Sequence, residues 1–323
     1  MTEIRYIDIH AHLNFPDYDK DRDEVVLRAK EKGVAIINIG TDIESSKQIL
    51  EIADTYRSKE GIEFPHIYSM PGIHPVEVQN LLKEFEPEES VTQEGELLSS
   101  DQKKLKILLK ADKVIEEWLV ELEKLADHSS VVGIGECGID VFRFENDLAR
   151  APADGGFKLP ADQLSIDGVL ALQTKLFIGQ INIALKRDIP IMIHARESYI
   201  NILSILDENF ISQGIKLKGN VHFFAGTPAE ARMFLDRGFT VSFTGVITFA
   251  KEYAPTIAAL PPDSVMSETD CPFVAPVPYR GGRNEPVYVI EVVRKMAQIR
   301  GIEEPIMAEI LLRNARKAFG IKL

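Results

Sequence analysis

Eight short runs of apolar, mostly β-branched residues recur along this chain of 323 residues, and stretches with a helical spacing of apolar residues separate them. Each run is about as long as a buried strand. Strand and helix alternating along a whole chain are typical of a sheet whose strands run parallel. The runs are YIDIHAHL (6–13), VAIINIG (34–40), HIYSMPGIHP (66–75), VVGIGECGID (131–140), IPIMIHAR (189–196), NVHFFAG (220–226), FTVSFTG (239–245) and VMSETDCP (265–272).

Three of the intervening segments end on a glycine, which commonly follows the last residue of a helix. They are DRDEVVLRAKEKG (21–33), AEARMFLDRG (229–238) and VIEVVRKMAQIRG (289–301). Each glycine predicts where an amphipathic helix ends.

The apolar runs are nearly continuous, as expected for strands covered on both faces. Two arrangements have this alternation of strand and helix, a closed (β/α)8 barrel and an open doubly wound sheet. Polar residues end nearly every run, which favours the barrel, because barrel active sites are built at the carboxyl ends of the strands. We therefore predict an α/β fold in which residues 1–323 form a single TIM-like barrel domain.

Two intervals, 76–110 and 141–160, are too long for plain connections. Each follows a predicted strand and precedes a helix, so both are predicted to be extended βα-loops on the catalytic face. Between positions 84 and 101 the first has seven acidic residues and no Lys or Arg. It is either a solvated excursion or a lid that repels long polyanions. The acidic residues are Glu84, Glu86, Glu88, Glu89, Glu94, Glu96 and Asp101.

The composition, with 45% hydrophobic and 27% charged residues, is that of a soluble globular enzyme. No apolar run reaches the roughly 18–20 residues that span a bilayer, and the segment MTEIRY lacks a signal-peptide pattern. Two cysteines fit a reducing compartment, so we expect a cytoplasmic protein with no membrane contact. The net charge of −13 argues against electrostatic binding of nucleic acid over a broad surface, although metal ions could supply positive charge at the site.

Side chains that ligate metals or transfer protons interrupt the apolar runs near their carboxyl ends. Five of the seven histidines of the chain lie at such positions. A single buried histidine is more often a hydrogen-bonded core residue, but the whole set at one barrel mouth favours a metal site. Imidazole and carboxylate donors without thiolate suit zinc, manganese or magnesium. The side chains are His10, His12, His74, Glu136, His194, His222 and Asp270.

Six of these residues are too many for one catalytic zinc, which usually keeps three protein ligands. We predict two divalent ions (Mg, Mn or Zn) that share Glu136 as a bridging ligand. Two ions about 3.5–4 Å apart generate a nucleophile at neutral pH and stabilise both the attacking and the leaving oxygen, which points to phosphodiester hydrolysis. The first ion is assigned to His10, His12 and Asp270, and the second to His194 and His222.

The motifs DIHAHL, GIHPVEV, VGIGECGID, IPIMIHARES, VHFFAG, SFTG and ETDCPFVAPVPYRGGRNEP occur in this order. In this respect the chain resembles the TatD family of metal-dependent deoxyribonucleases, in the amidohydrolase superfamily. The likeness extends from Tyr6 to about Gly320, apart from the two long intervals. It implies a TIM-like barrel, a two-metal site and exonuclease-type hydrolysis of DNA, usually from the 3′ end and often of single strands. It assigns metal roles to His10, His12, Glu136, His194, His222 and Asp270.

Five residues are candidates for binding substrate. His74 either positions a phosphate and gives acid help to the leaving oxygen, or stiffens the IHP turn through a backbone bond. Arg196 meets a phosphate oxygen or forms an ordinary surface ion pair. Arg280, Arg283 and Asn284 belong to the RGGRNEP loop, which we interpret as an anion-facing loop rather than a structural turn.

Residues near the last predicted strand have further possible roles. Glu268 shares a strand face with Asp270, so it either supports a ligand or binds an additional ion, and we favour support. Asp270 is a candidate base that orients the attacking water, and Glu136 and His74 complete the predicted catalytic set. Cys137 and Cys271 are expected on the opposite strand faces as small buried residues.

We therefore expect a deoxyribonuclease, a 3′–5′ exonuclease acting on single-stranded DNA ends, with no obligate protein partner. One alternative is a hydrolase of another bond, such as a small amide, a phosphoester or an aminoacyl-tRNA ester, at the same site. Another is a binding protein that keeps a residual metal. HFFAG replaces the more usual HCFSG of the family, which places Phe223 beside His222 and could reshape the pocket.

Overall fold

Eight parallel strands lie in the part of the chain that the computed structural model describes, residues 3–85, 99–142 and 166–323. Each predicted apolar run contains or overlaps one of them, and the α/β architecture is that of a TIM-like fold. The strands are β1 (Tyr6–Ala11), β2 (Val34–Ile39), β3 (Ile67–Met70), β4 (Ile134–Asp140), β5 (Ile191–Arg196), β6 (Gly219–Val221), β7 (Phe239–Phe243) and β8 (Val265–Ser267).

The strands pair in chain order, as β1-β2-β3 and as β4-β5-β6-β7-β8, and every pair is parallel. A single parallel bridge between Ser69 and Val131 joins the two sheets at β3 and β4. At the other side, Ala11 of β1 bridges to Cys271, which follows β8. The Asp270 amide also donates to the His10 carbonyl at 2.9 Å. This pairing brings the first and last strand ends together.

Helices follow most strands, and ten α-helices lie within the described ranges. Gly33 and Gly301 stand at helix C-termini with φ of 67° in both cases, as the sequence predicts. The helices are α1 (Arg22–Lys32), α2 (Ile43–Ser58), α3 (Val76–Glu84), α4 (Ser100–Leu125), α5 (Ile166–Arg187), α6 (Tyr199–Asn209), α7 (Pro228–Leu235), α8 (Ala254–Ala259), α9 (Val289–Arg300) and α10 (Glu304–Phe319).

The interval 76–110, predicted to be a loop, is helical at both of its ends. Helix α3 begins directly at Val76, and α4 begins at Ser100. Ser99 and Gln102 form a capping box that satisfies free amides at the start of α4, a local signal that outweighs the polar composition. Most of the acidic run and of the interval 141–160 falls in residues 86–98 and 143–165, outside the described residues.

Helix α5 is long and apolar enough to cross a membrane by length and composition alone. Half of its apolar window is buried inside the protein. Its residues Leu176 and Phe177 belong to the same core cluster as Ile139 of β4. Core helices of globular proteins commonly have this composition, and α5 packs as one of them.

Strand β1 explains how an apolar run places histidines inside the fold. Ile7 and Ile9 pack in one core cluster with Leu312 of α10. Because successive side chains point to opposite faces, Asp8 and His10 face the interior instead, and both are fully buried. The apolar face anchors the strand, and the polar face is free for chemistry.

Candidate metal centre

The six predicted metal ligands converge on one point at the carboxyl ends of the strands. Glu136 of β4 lies at the centre and is in contact with histidines from three other parts of the sheet. Within each proposed ligand group the nitrogen and oxygen atoms lie within 4.8 Å of one another. The groups of three within the described residues are His10–His12–Glu136, Glu136–His194–His222, His10–His222–Glu268 and His74–Asp140–His194.

Strand β1 and the segment after β8 form the first half of the cluster. The Nε2 atoms of His10 and His12 are 3.1 Å apart. Asp270 Oδ1 lies 3.7 Å from His10 Nε2 and 3.5 Å from His12 Nε2. Glu136 Oε2 completes this half, at 3.4 Å from His10 Nε2 and 3.8 Å from His12 Nε2.

Strand β5 and the segment after β6 form the second half. His194 Nδ1 lies 2.9 Å from Glu136 Oε1, and His222 Nε2 lies 3.1 Å from the same oxygen. The His10 ring stacks on the His222 ring with centroids 3.8 Å apart, so the two halves are contiguous. The two oxygens of Glu136 therefore face two different sets of histidines.

Asp140, at the end of β4, is a residue that the sequence analysis missed. Its Oδ2 lies 3.3 Å from His194 Nε2, so both nitrogens of the His194 ring face carboxylates. The same strand alternation that identifies Glu136 places Asp140, four residues later, on the same face. The spacing of four residues between Glu136 and Asp140 could therefore have identified Asp140 from the sequence. Burial acts to raise the pKa of Asp140, but the hydrogen bond and charge of His194 lower it overall.

Glu268 lies fully buried behind His222. Its Oε1 is 3.3 Å from His222 Nδ1 and accepts a 2.6 Å bond from the Phe223 amide. Its Oε2 accepts a 2.7 Å bond from the Ser242 hydroxyl. Glu268 also belongs to the His10–His222–Glu268 ligand group, so its position is compatible both with orienting the His222 ring and with holding an ion.

The protonation of the cluster reflects its crowded charges. Burial and the neighbouring charge of His222 lower the pKa of His10 to about 4. Burial acts to lower the pKa of His222, but Glu268 and Glu136 outweigh it and hold that pKa well above its ordinary value. Burial acts to raise the pKa of Glu136, yet His222, His74 and His10 hold it well below the usual range. A buried carboxylate that stays ionised requires a cation beside it.

The donor atoms fit a divalent metal. His12 Nδ1 donates to the Ile39 carbonyl at 3.1 Å, which leaves the lone pair of Nε2 pointing into the cluster. His10 Nδ1 is buried and has no hydrogen-bond partner among the described residues. Cys137 and Cys271 are buried free thiols, and neither belongs to the proposed ligand groups of the described residues. Nitrogen and carboxylate oxygen donors without sulfur suit zinc, manganese or magnesium.

His74 differs from the other histidines of the cluster. Its Nδ1 accepts a 3.1 Å bond from the Val76 amide, so the proton of the neutral ring is on Nε2. Burial, followed by the charge of His194, lowers the pKa of His74 to about 3. Its Nε2 lies 3.7 Å from Glu136 Oε1. A neutral ring with this tautomer presents an N–H donor rather than a metal-binding lone pair.

Arg196 lies at the rim of the cluster. Its guanidinium packs over the Phe142 ring, with Cζ 3.9 Å from the ring centroid, and the residue is exposed. Its charge helps to lower the pKa of Asp140. Since no described carboxylate forms an ion pair with Arg196, its N–H groups remain available to an anion.

The RGGRNEP loop does not have the arrangement that the sequence analysis expects. Arg283 donates to the two carboxylate oxygens of Asp21 at 2.7 and 2.6 Å, so its charge is already paired. Asn284 is fully buried, and its amide group donates to the backbone carbonyls of Thr269 and Phe273. Neither side chain lines the cavity over the cluster, and their substrate-binding roles are corrected to structural ones.

Arg280, the third candidate of this loop, is exposed, and its Cζ lies 3.7 Å from the Phe249 ring centroid. It also lies outside the cavity lining. The cavity itself has a volume of about 1090 Å³ and opens over the cluster. Its lining includes His74, Arg196 and several aromatic rings. This volume is slightly above the roughly 300–1,000 Å³ typical of ligand sites.

The parallel α/β fold and the cluster of imidazole and carboxylate donors define the class of this protein, a metal-dependent hydrolase. A family model described as TatD related DNase matches residues 7–320. The chain therefore belongs to the TatD family, and the resemblance drawn from its motifs is confirmed.

Relatives match almost the whole chain. YabD of Bacillus subtilis (strain 168), an uncharacterized metal-dependent hydrolase, is 30% identical over 318 residues, which cover 97% of this chain and 98% of YabD. A protein of Escherichia fergusonii named 3′-5′ ssDNA/RNA exonuclease TatD is 26% identical over 323 residues, with coverage of 97% and 98%.

Two solved structures share the fold. The TatD homologue YjjV of Escherichia coli K12 has a TM-score of 0.69 and 23% identity, covering 98% of this chain and 99% of its own. An uncharacterized amidohydrolase from Saccharomyces cerevisiae has a TM-score of 0.74 and 16% identity, with coverage of 98% and 100%. Both support the TIM-like architecture.

Proposed function

We propose that this protein is a metal-dependent nuclease that hydrolyses DNA phosphodiester bonds as a 3′–5′ exonuclease and prefers single-stranded ends. Membership of the TatD family and the name of the Escherichia fergusonii relative support the nuclease activity. The observation that carries the proposal is the orientation of the Glu136 carboxylate. Its Oε2 atom faces His10 and His12, and its Oε1 atom faces His194 and His222. A carboxylate turned in this way is suited to bridging two divalent ions.

Two ions of Mg, Mn or Zn would share Glu136. When bound, such ions stabilise the charge on the attacking and the leaving oxygen of a phosphodiester. Each ion would have histidine nitrogen and carboxylate oxygen donors. His10, His12 and Asp270 would hold one ion, and His194 and His222 the other.

Three residues of the chain would act on the substrate directly. Asp270, partly exposed at the cavity floor, would orient the attacking water and accept its proton. His74 would donate its Nε2 proton in a hydrogen bond to a phosphate or leaving oxygen, since its Nδ1 is engaged by the Val76 amide. Arg196 would hold a phosphate oxygen at the rim through its guanidinium.

The proposed enzyme acts as one barrel domain without an obligate partner. We infer that the strand pairs and bridges close a single eight-stranded barrel around the cluster. Two buried free thiols fit a reducing compartment, and we place the enzyme in the cytoplasm.

Elemental analysis of the purified protein, paired with digestion of single-stranded DNA labelled at the 3′ or the 5′ end, tests this function. We expect two divalent ions per chain and stepwise release of nucleotides from the 3′ end. EDTA should abolish the release, and Mg²⁺ or Mn²⁺ should restore it. Intact DNA with every metal, together with turnover of a small amide, a phosphomonoester or an aminoacyl-tRNA ester, would show instead that the site acts on another bond.

A further inference from the structure

We propose that Phe273, with Phe15 beside it, forms a stacking site for the base of the terminal nucleotide, next to the bond that is cleaved. This inference rests on the proposed nuclease function, because it assigns one part of the nucleic acid to one wall of the same cavity. Both rings belong to the cavity lining.

The Phe15 and Phe273 rings form a corner directly beside the metal cluster. The Phe15 ring stacks on the His12 ring, with centroids 4.8 Å apart and planes inclined by 21°. The Phe273 ring stands nearly perpendicular to the Phe15 ring, at 77° and with centroids 5.9 Å apart. A planar base placed in this corner would stack on one ring and meet the other ring edge-on.

The backbone of Phe273 is held by hydrogen bonds on both sides, and the residue is 51% exposed. Its amide donates to the Asp270 carbonyl at 3.0 Å, and its own carbonyl accepts a 2.6 Å bond from the buried Asn284 side chain. Asp270 and Val274 adopt left-handed φ values of 56° and 51°, which are rare for residues other than glycine and cluster at functional sites. The backbone thus presents an apolar ring to water three residues from a proposed metal ligand.

Stacking suits the charge of this protein. With a net charge of −13, the chain repels a polyanion, whereas the face of a base carries no charge. Every base has such a face, so aromatic stacking binds without sequence preference. Within a duplex the terminal base is held in place by pairing with the opposite strand. An unpaired terminal base can turn into the corner without breaking a pair, which would favour single-stranded ends.

A comparison of two substrates and three proteins tests the site. The substrates are single-stranded oligonucleotides that differ only in whether the 3′-terminal nucleotide bears a base or is abasic. The proteins are wild type, Phe273→Ala and a control, Ile306→Ala, whose side chain is 50% exposed and lies outside the cavity lining. We expect Phe273→Ala to lower kcat/KM for the base-bearing end about 5- to 150-fold more than for the abasic end, the range that base–aromatic stacking supplies. The control should not distinguish the two ends.

A fluorescence measurement provides a second readout that does not depend on turnover. An oligonucleotide with 2-aminopurine at its 3′ end and a non-hydrolysable terminal phosphonate linkage loses fluorescence when the modified base stacks. We expect wild type and Phe273→Trp to quench this signal, and Phe273→Ala to bind with little quenching.

The outcomes separate the two proposals. If wild type cleaves neither end under any metal, the nuclease function fails, and the stacking site fails with it. If wild type cleaves DNA but Phe273→Ala slows both ends equally and quenches like wild type, only the stacking site is overturned.

Discussion

The rings of His10 and His222 stack with centroids 3.8 Å apart and planes inclined by 13°, although one belongs to β1 and the other follows β6. Two positively charged imidazoles would repel each other in this arrangement. The lowered pKa of His10, at about 4 through burial and the charge of His222, keeps that ring neutral near pH 7. A neutral ring is also the form that binds a metal.

Replacing the central carboxylate should remove the proposed two-ion site. Glu136→Gln keeps the size of the side chain but removes the charge that faces both halves of the cluster. We expect a loss of at least one bound ion and a fall in kcat of about 1,000-fold or more, because metal-assisted charge stabilisation is worth several kcal/mol. Metal content by mass spectrometry and kcat on 3′-labelled DNA would check this. A variant with full metal content and unchanged kcat would contradict the bridging role.

Asp140→Asn should weaken metal binding without dismantling the fold. Asp140 accepts a hydrogen bond from His194. Loss of such an orienting partner typically lowers metal affinity or activity about 10- to 100-fold. Titration of metal-depleted protein with Mn²⁺ by calorimetry measures the effect. Asp54→Asn is a matched control, because Asp54 forms a similar pair with His128 outside the cluster. Equal affinities for both variants would show that Asp140 does not position His194.

His74→Ala should lower kcat about 100- to 1,000-fold, as expected for loss of one hydrogen-bond donor to a phosphate or leaving oxygen, while the metal content stays unchanged. The reason is its tautomer, in which the Val76 amide occupies Nδ1 and leaves Nε2–H as a donor. Elemental analysis and single-turnover kinetics together separate this role from metal binding. A loss of bound ions in His74→Ala would make His74 a ligand instead.

Arg196 and Arg283 should respond in opposite ways to substitution by alanine. Arg196→Ala should raise KM for DNA with little change in Tm, because its guanidinium has no ion-pair partner among the described carboxylates. Arg283→Ala should lower the unfolding free energy by about 1 kcal/mol, since it breaks a partly exposed bidentate pair with Asp21, and should leave KM unchanged. Thermal unfolding and steady-state kinetics of both variants distinguish a substrate-binding role from a structural role for each arginine. The reverse pattern would restore Arg283 as a substrate-binding residue.

Much of the candidate site follows from strand periodicity. His10 and His12 share a strand face because the side-chain period is two, and the carboxyl ends of parallel strands meet at one end of the sheet. The same rule should have identified Asp140, which lies on the face of Glu136. Local alternation is visible in a sequence, so this part of the site could be predicted without coordinates.

The loop residues could not be predicted in the same way. The pairing of Arg283 with Asp21 joins parts of the chain that are far apart in sequence, and no spacing rule connects them. The glycines around Arg283 fit a ligand loop and a structural turn equally well. The helical start of the interval 76–110 was missed because its polar composition hid the apolar face of α3, where Val78 and Leu81 are buried.

The most direct test of the bridging role of Glu136 is a crystal structure of the protein with Mn²⁺, in which anomalous scattering locates the ions. We expect two peaks about 3.5–4 Å apart, with Glu136 Oε2 on the ion held by His10 and His12, and Oε1 on the ion near His194 and His222. A single peak, or two ions with Glu136 bound to neither, would contradict it.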